Sequence, residues 1–276
     1  MNYKINEYPD GTSYVIIPKE WENTTQEIIF KLNTYKDVVQ LCQLCDVLIW
    51  NRVKAHITIP CLLDAQADKR FNELHSSGLV VLARIIDGYS DGNDISFGFF
   101  HPHNAEVVEA MFTSFEIIDN TSYINTVLDI LAPIDNLNIL APDAGAYKWI
   151  IKTADNVGFR NDVFSASKSR KYENGKSTLT QVINTEDFEG KDILIIDDIS
   201  VYGGTFKGLS KLLRERNCGK LYLAVSHMTI QNLGDDPVTN YFDKVFTTNS
   251  KFDNYYIADS KGEPKQPENL NTIKIF

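Results

Sequence analysis

The sequence has few cysteines, no long apolar run and too few basic residues to balance its acids, and each shortage excludes a class of protein. Its four cysteines among 276 residues are too sparse for a disulfide framework. No segment reaches the ~18 uninterrupted apolar residues of a membrane span, and no basic stretch followed by an apolar core marks a secretory signal. A net charge of −10 argues against a nucleic-acid surface. We therefore expect a cytoplasmic protein that binds neither nucleic acid nor membrane.

Short apolar runs alternate with segments of helical apolar spacing along the whole chain. This alternation predicts an α/β fold of mostly parallel sheets flanked by helices. The length fits two such units, which we expect at residues 1–133 and 134–276. Cys42 and Cys45 form a CxxC spacing inside a predicted helix. Without a second pair or a basic neighbour, this spacing indicates core packing rather than zinc or redox chemistry.

The most informative stretch is residues 192–206, with the sequence DILIIDDISVYGGTF. The apolar run at 193–196 predicts a strand buried on both faces, and Asp197 and Asp198 follow it directly. Carboxylates at such an end suit ribose hydroxyls or a sugar-bound metal. The glycines at 203–204 open a predicted helix, whose free N–H groups can hold a phosphate. The alternative is an ordinary strand-to-helix turn, but an interior strand end penalises unpaired carboxylates, which favours a site.

Two further motifs follow predicted strands. His101-Pro102-His103 comes after the strand at 95–100, and we expect one structural and one functional histidine there. Pro142-Asp143-Ala144-Gly145 comes after the strand at 136–141. Because ligands of open α/β sheets bind beyond the carboxyl ends of the strands, these motifs and the acid pair have positions from which they can converge on one crevice.

A hydrophilic segment at 165–177 contains Lys168, Arg170, Lys171 and Lys176. It has two interpretations. One is a solvated hairpin tip. The other is a mobile basic loop that closes over a polyphosphate and excludes water.

Together these residues resemble the phosphoribosyl-diphosphate signature shared by type I phosphoribosyltransferases and ribose-phosphate diphosphokinases, the PRPP synthetases. The motif order favours the diphosphokinases, and the matching segments are 100–103, 141–145, 168–170, 226–227 and 247–250. The resemblance covers nearly the whole chain. It implies two tandem type I phosphoribosyltransferase-like domains, the first on the ATP side and the second with the ribose-phosphate site and flexible loop. It also implies a homo-oligomer, a dimer or higher.

The resemblance implies transfer of the β,γ-diphosphate of ATP to the anomeric hydroxyl of a ribose 5-phosphate unit, with Mg²⁺ as cofactor and AMP as product. The residues it assigns to catalysis are Lys168, Arg170 and His103, and to magnesium His103 and Asp143. Those it assigns to the ribose and its 5-phosphate are Asp197, Asp198, Val201, Tyr202, Gly203, Gly204 and Thr205. Those it assigns to ATP are Gln66, Asp68, Lys69, Arg70 and His103.

Two departures from the family pattern concern the substrates. Segment 64–70 keeps only the aspartate and following basic residues of a YxRQDR element, so adenine recognition must differ. Val201 and Tyr202 stand where small or hydroxyl residues are usual, and a large ring fits better if the 5-phosphate is extended. ADP-ribose is such a substrate, used by the ADP-ribose pyrophosphate synthetases, a divergent phage branch that rebuilds NAD. We expect it as the preferred acceptor and keep ribose 5-phosphate, giving PRPP, as the alternative. A ring of Tyr202 that points away and packs on the next helix would remove this argument.

Two other functions stay open. A phosphoribosyltransferase would explain the 197–205 loop but neither the duplicated architecture nor the KxR segment. A non-catalytic regulatory homologue would explain the altered ATP segment but not the retention of Lys168, Arg170, His103 and the acids.

Overall fold

The computed structural model describes residues 3–70, 72–90, 92–173, 176–183, 185–258 and 262–276, with side chains except at 168–173 and 176–180. The chain divides into two compact units, residues 1–119 with Phe276, and residues 120–275. In the part of the chain that is described, no helix has both the length and the apolar character that crossing a membrane requires.

The first unit is built on a four-stranded parallel sheet in sequential order. A hairpin of β1 (Lys4–Glu7) and β2 (Ser13–Ile16) precedes it. The sheet strands are β3 (Thr25–Ile29), β4 (Lys54–Ile59), β5 (Ile95–Phe100) and β6 (Phe115–Ile118). The helices between them are α1 (Tyr35–Trp50), α2 (Gly78–Asp87) and α3 (Ala105–Met111). Cys45 is fully buried in the core of this unit, where burial raises the pKa of its thiol, as expected for core packing.

The second unit contains the helices α4 (Thr121–Leu131), α5 (Ala144–Asn156) and α6 (Gly204–Glu215). Its strands are β7 (Leu137–Ala141), β8 (Val163–Glu173), β9 (Lys176–Ile183), β10 (Asp192–Ser200), β11 (Leu221–Met228), β12 (Lys244–Thr248), β13 (Ile257–Ala258), β14 (Pro264–Lys265) and β15 (Leu270–Ile273). Seven of them form a sheet with strand order β15-β12-β11-β10-β7-β8-β9, whereas β13 and β14 form a separate antiparallel pair. Neighbouring strands of the sheet are parallel except for the antiparallel pair β8 and β9.

Strand β10 is buried on both faces, as its apolar run predicts. Ile193 and Ile195 belong to the core on the α6 face, whereas Leu194 and Ile196 belong to the core under α4 and α5. All four side chains are at most 1% exposed. This alternation is the period of two expected for a strand, and it fixes which sheet face each following residue occupies.

Helix α4 packs in the second unit, which places the division of the chain at 119/120 and not at the expected 133/134. Its residues Tyr123, Ile124 and Val127 are buried in one core with Ile139 and Ile150. The apolar stripe of the helix predicts a buried face but does not say which sheet receives it.

One strand of the second unit is longer than predicted, and two others enter the hydrophilic segment at 165–177. Strand β10 continues past the expected end at 196 to Ser200, because it keeps its pairing with β11 up to Ser200 and Met228. Its pairing with β7 stops at Ile195, so the acids lie on a stretch with a neighbouring strand on one side. Strands β8 and β9 extend into the hydrophilic segment and pair from Ala166–Ile183 to Glu173–Lys176.

Candidate functional site: the acid pair and the glycine loop of the second unit

The loop between β10 and α6 depends on glycine at position 203. Gly203 caps the helix with φ +71°, a conformation that disfavours residues with a side chain. A Cβ atom here would lie 2.7 Å from both Cβ and Cγ2 of Val238. The loop therefore lies tightly against the 3-10 turn that begins at Val238, and only glycine fits.

Helix α6 begins at this loop, beside open space at Gly204. The first N–H groups of a helix have no intrahelical partner, and the aligned peptide dipoles add partial positive charge at that end. A Cβ atom built on Gly204 would meet no heavy atom within 4 Å. Donors and space of this kind suit a phosphate group.

Tyr202 lies at the rim of this loop with its side chain in solvent. The residue is 71% exposed and Val201 is 38% exposed. An exposure of this size contradicts the alternative in which the ring packs on the following helix. The loop therefore offers an aromatic surface directly before the amides of α6.

Three carboxylates lie near the carboxyl ends of β7 and β10, close enough for those of Asp198 and Asp143 to act on Asp197. Asp198 is 8% exposed, and its backbone N–H donates to Oδ1 of Asp197 at 2.9 Å. Asp143 caps α5, with its Oδ1 accepting from the Ala146 N–H at 3.1 Å. Burial, the neighbouring carboxyl of Asp198 and, more weakly, that of Asp143 raise the pKa of Asp197 well above its ordinary value. A ligand with hydroxyl groups, or a cation, can supply donor hydrogens or positive charge to these carboxylates.

The chemistry of these carboxylates fits magnesium, which prefers oxygen ligands. However, the described residues contain no group of three or more His, Cys, Asp or Glu side chains arranged to hold a metal. Mg²⁺ typically binds through one or two carboxylates together with substrate phosphates and waters. An ion here would therefore depend on substrate oxygens for most of its coordination.

The residues expected on the ATP side lie in the first unit, after the adjacent parallel strands β4 and β5. The Asn104 side-chain amide donates to Oδ2 of Asp68 at 2.9 Å, which ties the segment after β4 to the residue that follows His103. Nη1 of Arg70 donates to the His75 carbonyl at 2.6 Å. The side chains of Gln66 and Lys69 are exposed. The fold thus brings Asp68 and the 101–103 motif to one edge of the sheet.

The two histidines of that motif differ in their surroundings. The His101 N–H donates to the Ile118 carbonyl at 2.8 Å, and its φ is +38°. His101 is partly buried, whereas His103 is exposed. That one of the two is structural and the other functional stays a prediction.

Lys168 and Arg170, predicted as catalytic, lie on β8, but their side chains are outside the described part of the structure. The base of their hairpin is anchored by Ala166 and Ile183, which are buried in the core beside α6. Position 168 pairs with Gln181 on β9.

Three residues that matter to the geometry were not predicted from sequence. Val238 restricts position 203, Gln181 contacts α6, and Asn104 connects the segments after β4 and β5. Asn104 had a signal, because asparagine before an apolar-periodic segment favours a helix cap, and its Oδ1 accepts from the Val107 N–H. Val238 and Gln181 act through partners distant in sequence, and no local pattern identifies them.

Comparison with known proteins gives consistent results. The phosphoribosyl transferase domain family matches residues 114–260, more than half of the chain. A ribose-phosphate pyrophosphokinase from Methanosarcina mazei is 26% identical over 226 residues, covering 81% of this chain and 72% of that protein. One from Pyrococcus furiosus is 24% identical over 257 residues, covering 90% of this chain and 86% of that protein.

Among solved structures, the phosphoribosylpyrophosphate synthetase from Mycobacterium smegmatis has a TM-score of 0.78. The alignment covers 99% of this chain and 86% of that chain, with 16% sequence identity. At this identity the likeness concerns the fold, and it confirms the predicted α/β class with phosphoribosyltransferase-like sheets.

Proposed function

We propose a reaction on the basis of the family to which the chain belongs. That family is the phosphoribosyl transferase domain family and, within it, the ribose-phosphate pyrophosphokinases. The protein is therefore an enzyme of the diphosphotransferase type. The proposed reaction moves the β,γ-diphosphate of ATP to the anomeric hydroxyl of a ribose 5-phosphate unit. The bond from Pβ to the α,β-bridging oxygen breaks, the hydroxyl oxygen bonds to Pβ and loses its proton, and AMP leaves.

The observation that carries the proposal is that one loop combines hydrogen-bond acceptors with hydrogen-bond donors. Asp197 and Asp198 supply acceptors for sugar hydroxyls, and the amides that open α6 supply donors for a phosphate. Both sets belong to the 197–205 segment of the second unit. A ribose 5-phosphate unit carries hydroxyls and a phosphate on one small frame, so it matches both.

The remaining assigned residues act by position and charge. Lys168 and Arg170 would stabilise negative charge on the transferring phosphates, and His103 and Asp143 would hold Mg²⁺. When bound, Mg²⁺ supplies charge neutralisation at the phosphate oxygens. Phosphoryl-type transfer depends chiefly on positioning and electrostatic stabilisation, so it needs no nucleophilic side chain from the protein. The residues proposed to contact ATP are Gln66, Asp68, Lys69 and Arg70. The proposed assembly of the protein is a homo-oligomer.

For the acceptor we propose ADP-ribose over ribose 5-phosphate, because of the exposed ring of Tyr202. A ring that is 71% exposed beside the phosphate loop lies where a group attached to the 5-phosphate would continue. Stacking of a base on an aromatic side chain is worth about 1–3 kcal/mol. The names of the relatives favour ribose 5-phosphate instead, which would give PRPP as product.

The test offers each acceptor separately with Mg-ATP and follows AMP by chromatography. We expect AMP with both and a higher kcat/KM with ADP-ribose. Turnover with ribose 5-phosphate that equals or exceeds turnover with ADP-ribose would refute the extended acceptor. Absence of AMP with either acceptor would refute the diphosphokinase reaction and favour a regulatory homologue. Pyrophosphate release from PRPP with a nucleobase, without ATP, would favour a phosphoribosyltransferase.

A Tyr202→Thr variant tests the ring itself. We expect the preference for ADP-ribose over ribose 5-phosphate to fall about tenfold, which corresponds to roughly 1.4 kcal/mol of lost stacking. Tyr14→Thr is the matched control, since Tyr14 is 41% exposed on β2 of the first unit. An unchanged preference in Tyr202→Thr would leave the ring without a role in acceptor choice.

A further inference from the structure

Gln181 joins the basic hairpin to the helix of the phosphate loop. Its Nε2 donates to the Thr205 carbonyl at 3.2 Å. Its Oε1 lies where a side chain at position 208 would be, since a Cβ atom built on Gly208 would collide with it. Thr205 and Gly208 are three residues apart, so they lie on the same face of the first turns of α6. The Gln181 amide therefore fits a notch that exists because residue 208 is glycine.

The register of the hairpin places this contact opposite a predicted catalytic position. Gln181 pairs directly with Lys168 across β8 and β9, and directly opposed residues occupy the same face of an antiparallel pair. Two residues further, Ala166 and Ile183 form an opposed pair that is buried against the α6 side of the core. The Arg216 guanidinium at the end of α6 also donates to the Ile183 carbonyl. Gln181 is thus the outermost described side chain that attaches the hairpin to α6.

We propose that Gln181 is a positioning residue that holds the β8–β9 hairpin, at the level of Lys168, against the turn of α6 that binds the acceptor phosphate. This inference rests on the proposed function, because it concerns the distance between the loop cations and the bound acceptor. The amides at the start of α6 hold one end of the acceptor, and the hairpin brings cations to the transferring phosphates. A misplacement of about 1 Å between such groups can lower a rate about a hundredfold.

The kinetic test compares Gln181→Ala and Gln181→Glu with the wild type. Alanine removes the whole contact, and glutamate keeps the shape but replaces the donor to the Thr205 carbonyl by an acceptor. We expect kcat to fall about tenfold in both, while KM for the acceptor changes less than about twofold because the amides of α6 are retained. Val182→Ala is the matched control, since Val182 is the next residue, 46% exposed, on the other face of β9. Its kcat should stay within about twofold of wild type.

The notch gives a second, independent measurement through Gly208→Ala. In the wild-type background the new methyl group meets Gln181 Oε1, so kcat should fall about as far as in Gln181→Ala and Tm should not rise. In the Gln181→Ala background the methyl group has room. There, replacing an interior helix glycine should raise Tm by about 2–4 °C, without a further fall in kcat.

Each outcome decides a different point. Additive Tm effects of the two substitutions would refute the contact between Gln181 and the position-208 notch. Coupled Tm effects with unchanged kcat, or a rise in KM that matches the loss of kcat/KM, would refute the positioning role. A wild-type protein inactive with both acceptors would refute the proposed function and, with it, the role of Gln181, while the Tm measurements would still report the contact.

Discussion

Replacing Gly203 by alanine measures how tightly the phosphate loop is held, because two separate penalties apply at this residue. A φ of +71° costs a residue with a Cβ atom about 1–2 kcal/mol. The added Cβ would lie 2.7 Å from Cβ and Cγ2 of Val238, whose branched side chain is stiff. Overpacking of this kind costs about 1–3 kcal/mol. The free energy of unfolding should therefore fall by about 2–5 kcal/mol.

A double-mutant cycle with Val238→Ala tests the part of the packing penalty that comes from the Cγ atoms of Val238. Val238 is 4% exposed, and loss of its two methyl groups should itself cost about 1–3 kcal/mol. In the double variant the clash with Cγ2 of Val238 is removed while the contact with its Cβ remains, so the combined loss should be smaller than the sum by about 1 kcal/mol. Urea unfolding measures all four proteins, and an unchanged slope with denaturant shows that the midpoints report stability.

Gly204→Ala is the control beside it, since its Cβ would meet no heavy atom within 4 Å. Its stability should lie within about 0.5 kcal/mol of wild type, whereas the methyl group should raise KM for the acceptor. Additivity of Gly203→Ala and Val238→Ala within about 0.5 kcal/mol would contradict the packing argument. A Gly203→Ala protein as stable as Gly204→Ala would contradict both parts of the reasoning.

Three further predictions concern charge at the site. Because burial and neighbouring carboxyls raise the pKa of Asp197, its ionisation opposes folding, so stability should fall as pH rises from the ordinary carboxyl range through the raised value. Asp197→Asn should therefore raise Tm at pH 8 by about 2–4 °C and flatten this pH dependence while lowering activity; an unchanged or lower Tm would contradict the electrostatic account. Lys168→Ala and Arg170→Ala should each lower kcat about a hundredfold, or about 3 kcal/mol, whereas Lys171→Ala, at a position on the other face of the hairpin, should stay near wild type; equal effects of all three would indicate a nonspecific charge effect. Chelation by EDTA should abolish activity, restored by added Mg²⁺, but shift the Tm of the ligand-free protein by less than about 1 °C, because the described residues contain no group of three or more metal-binding side chains; a large Tm shift would indicate a resident metal.

The parts of the fold that sequence predicts well are those set by local pattern. Strand β5 begins and ends as expected, at Ile95–Phe100. It is a short apolar run bounded by polar residues, so its boundaries follow from the local sequence. The glycine loop could also be predicted from the sequence, because glycine favours a left-handed helix cap, as at residue 203, and leaves space for a ligand, as at residue 204.

The parts that sequence did not predict depend on distant partners. Strand β10 continues to Ser200 because β11 continues beside it. The local sequence of neither strand predicts that pairing. Helix α4 joins the second unit because Tyr123 and Val127 meet Ile139. The contact of Gln181 with α6 needs a glycine 27 positions later, at residue 208. Side-chain packing between remote segments decides each of these, and single-sequence periodicity contains no information about it.

The two halves of the candidate site make opposite electrostatic demands, and this conflict constrains the ligand more than either half alone. The N-terminus of α6 favours an anion, whereas Asp197 and Asp198 repel one, and the carboxyl of Asp198 contributes to the raised pKa of Asp197. A free phosphate or pyrophosphate would accept hydrogen bonds from the amides, but its negative charge would add to the repulsion at the carboxylates. A neutral sugar would satisfy the carboxylates and leave the amides with water. A pentose phosphate places hydroxyls at one end and its negative charge at the other, so it meets both demands at once.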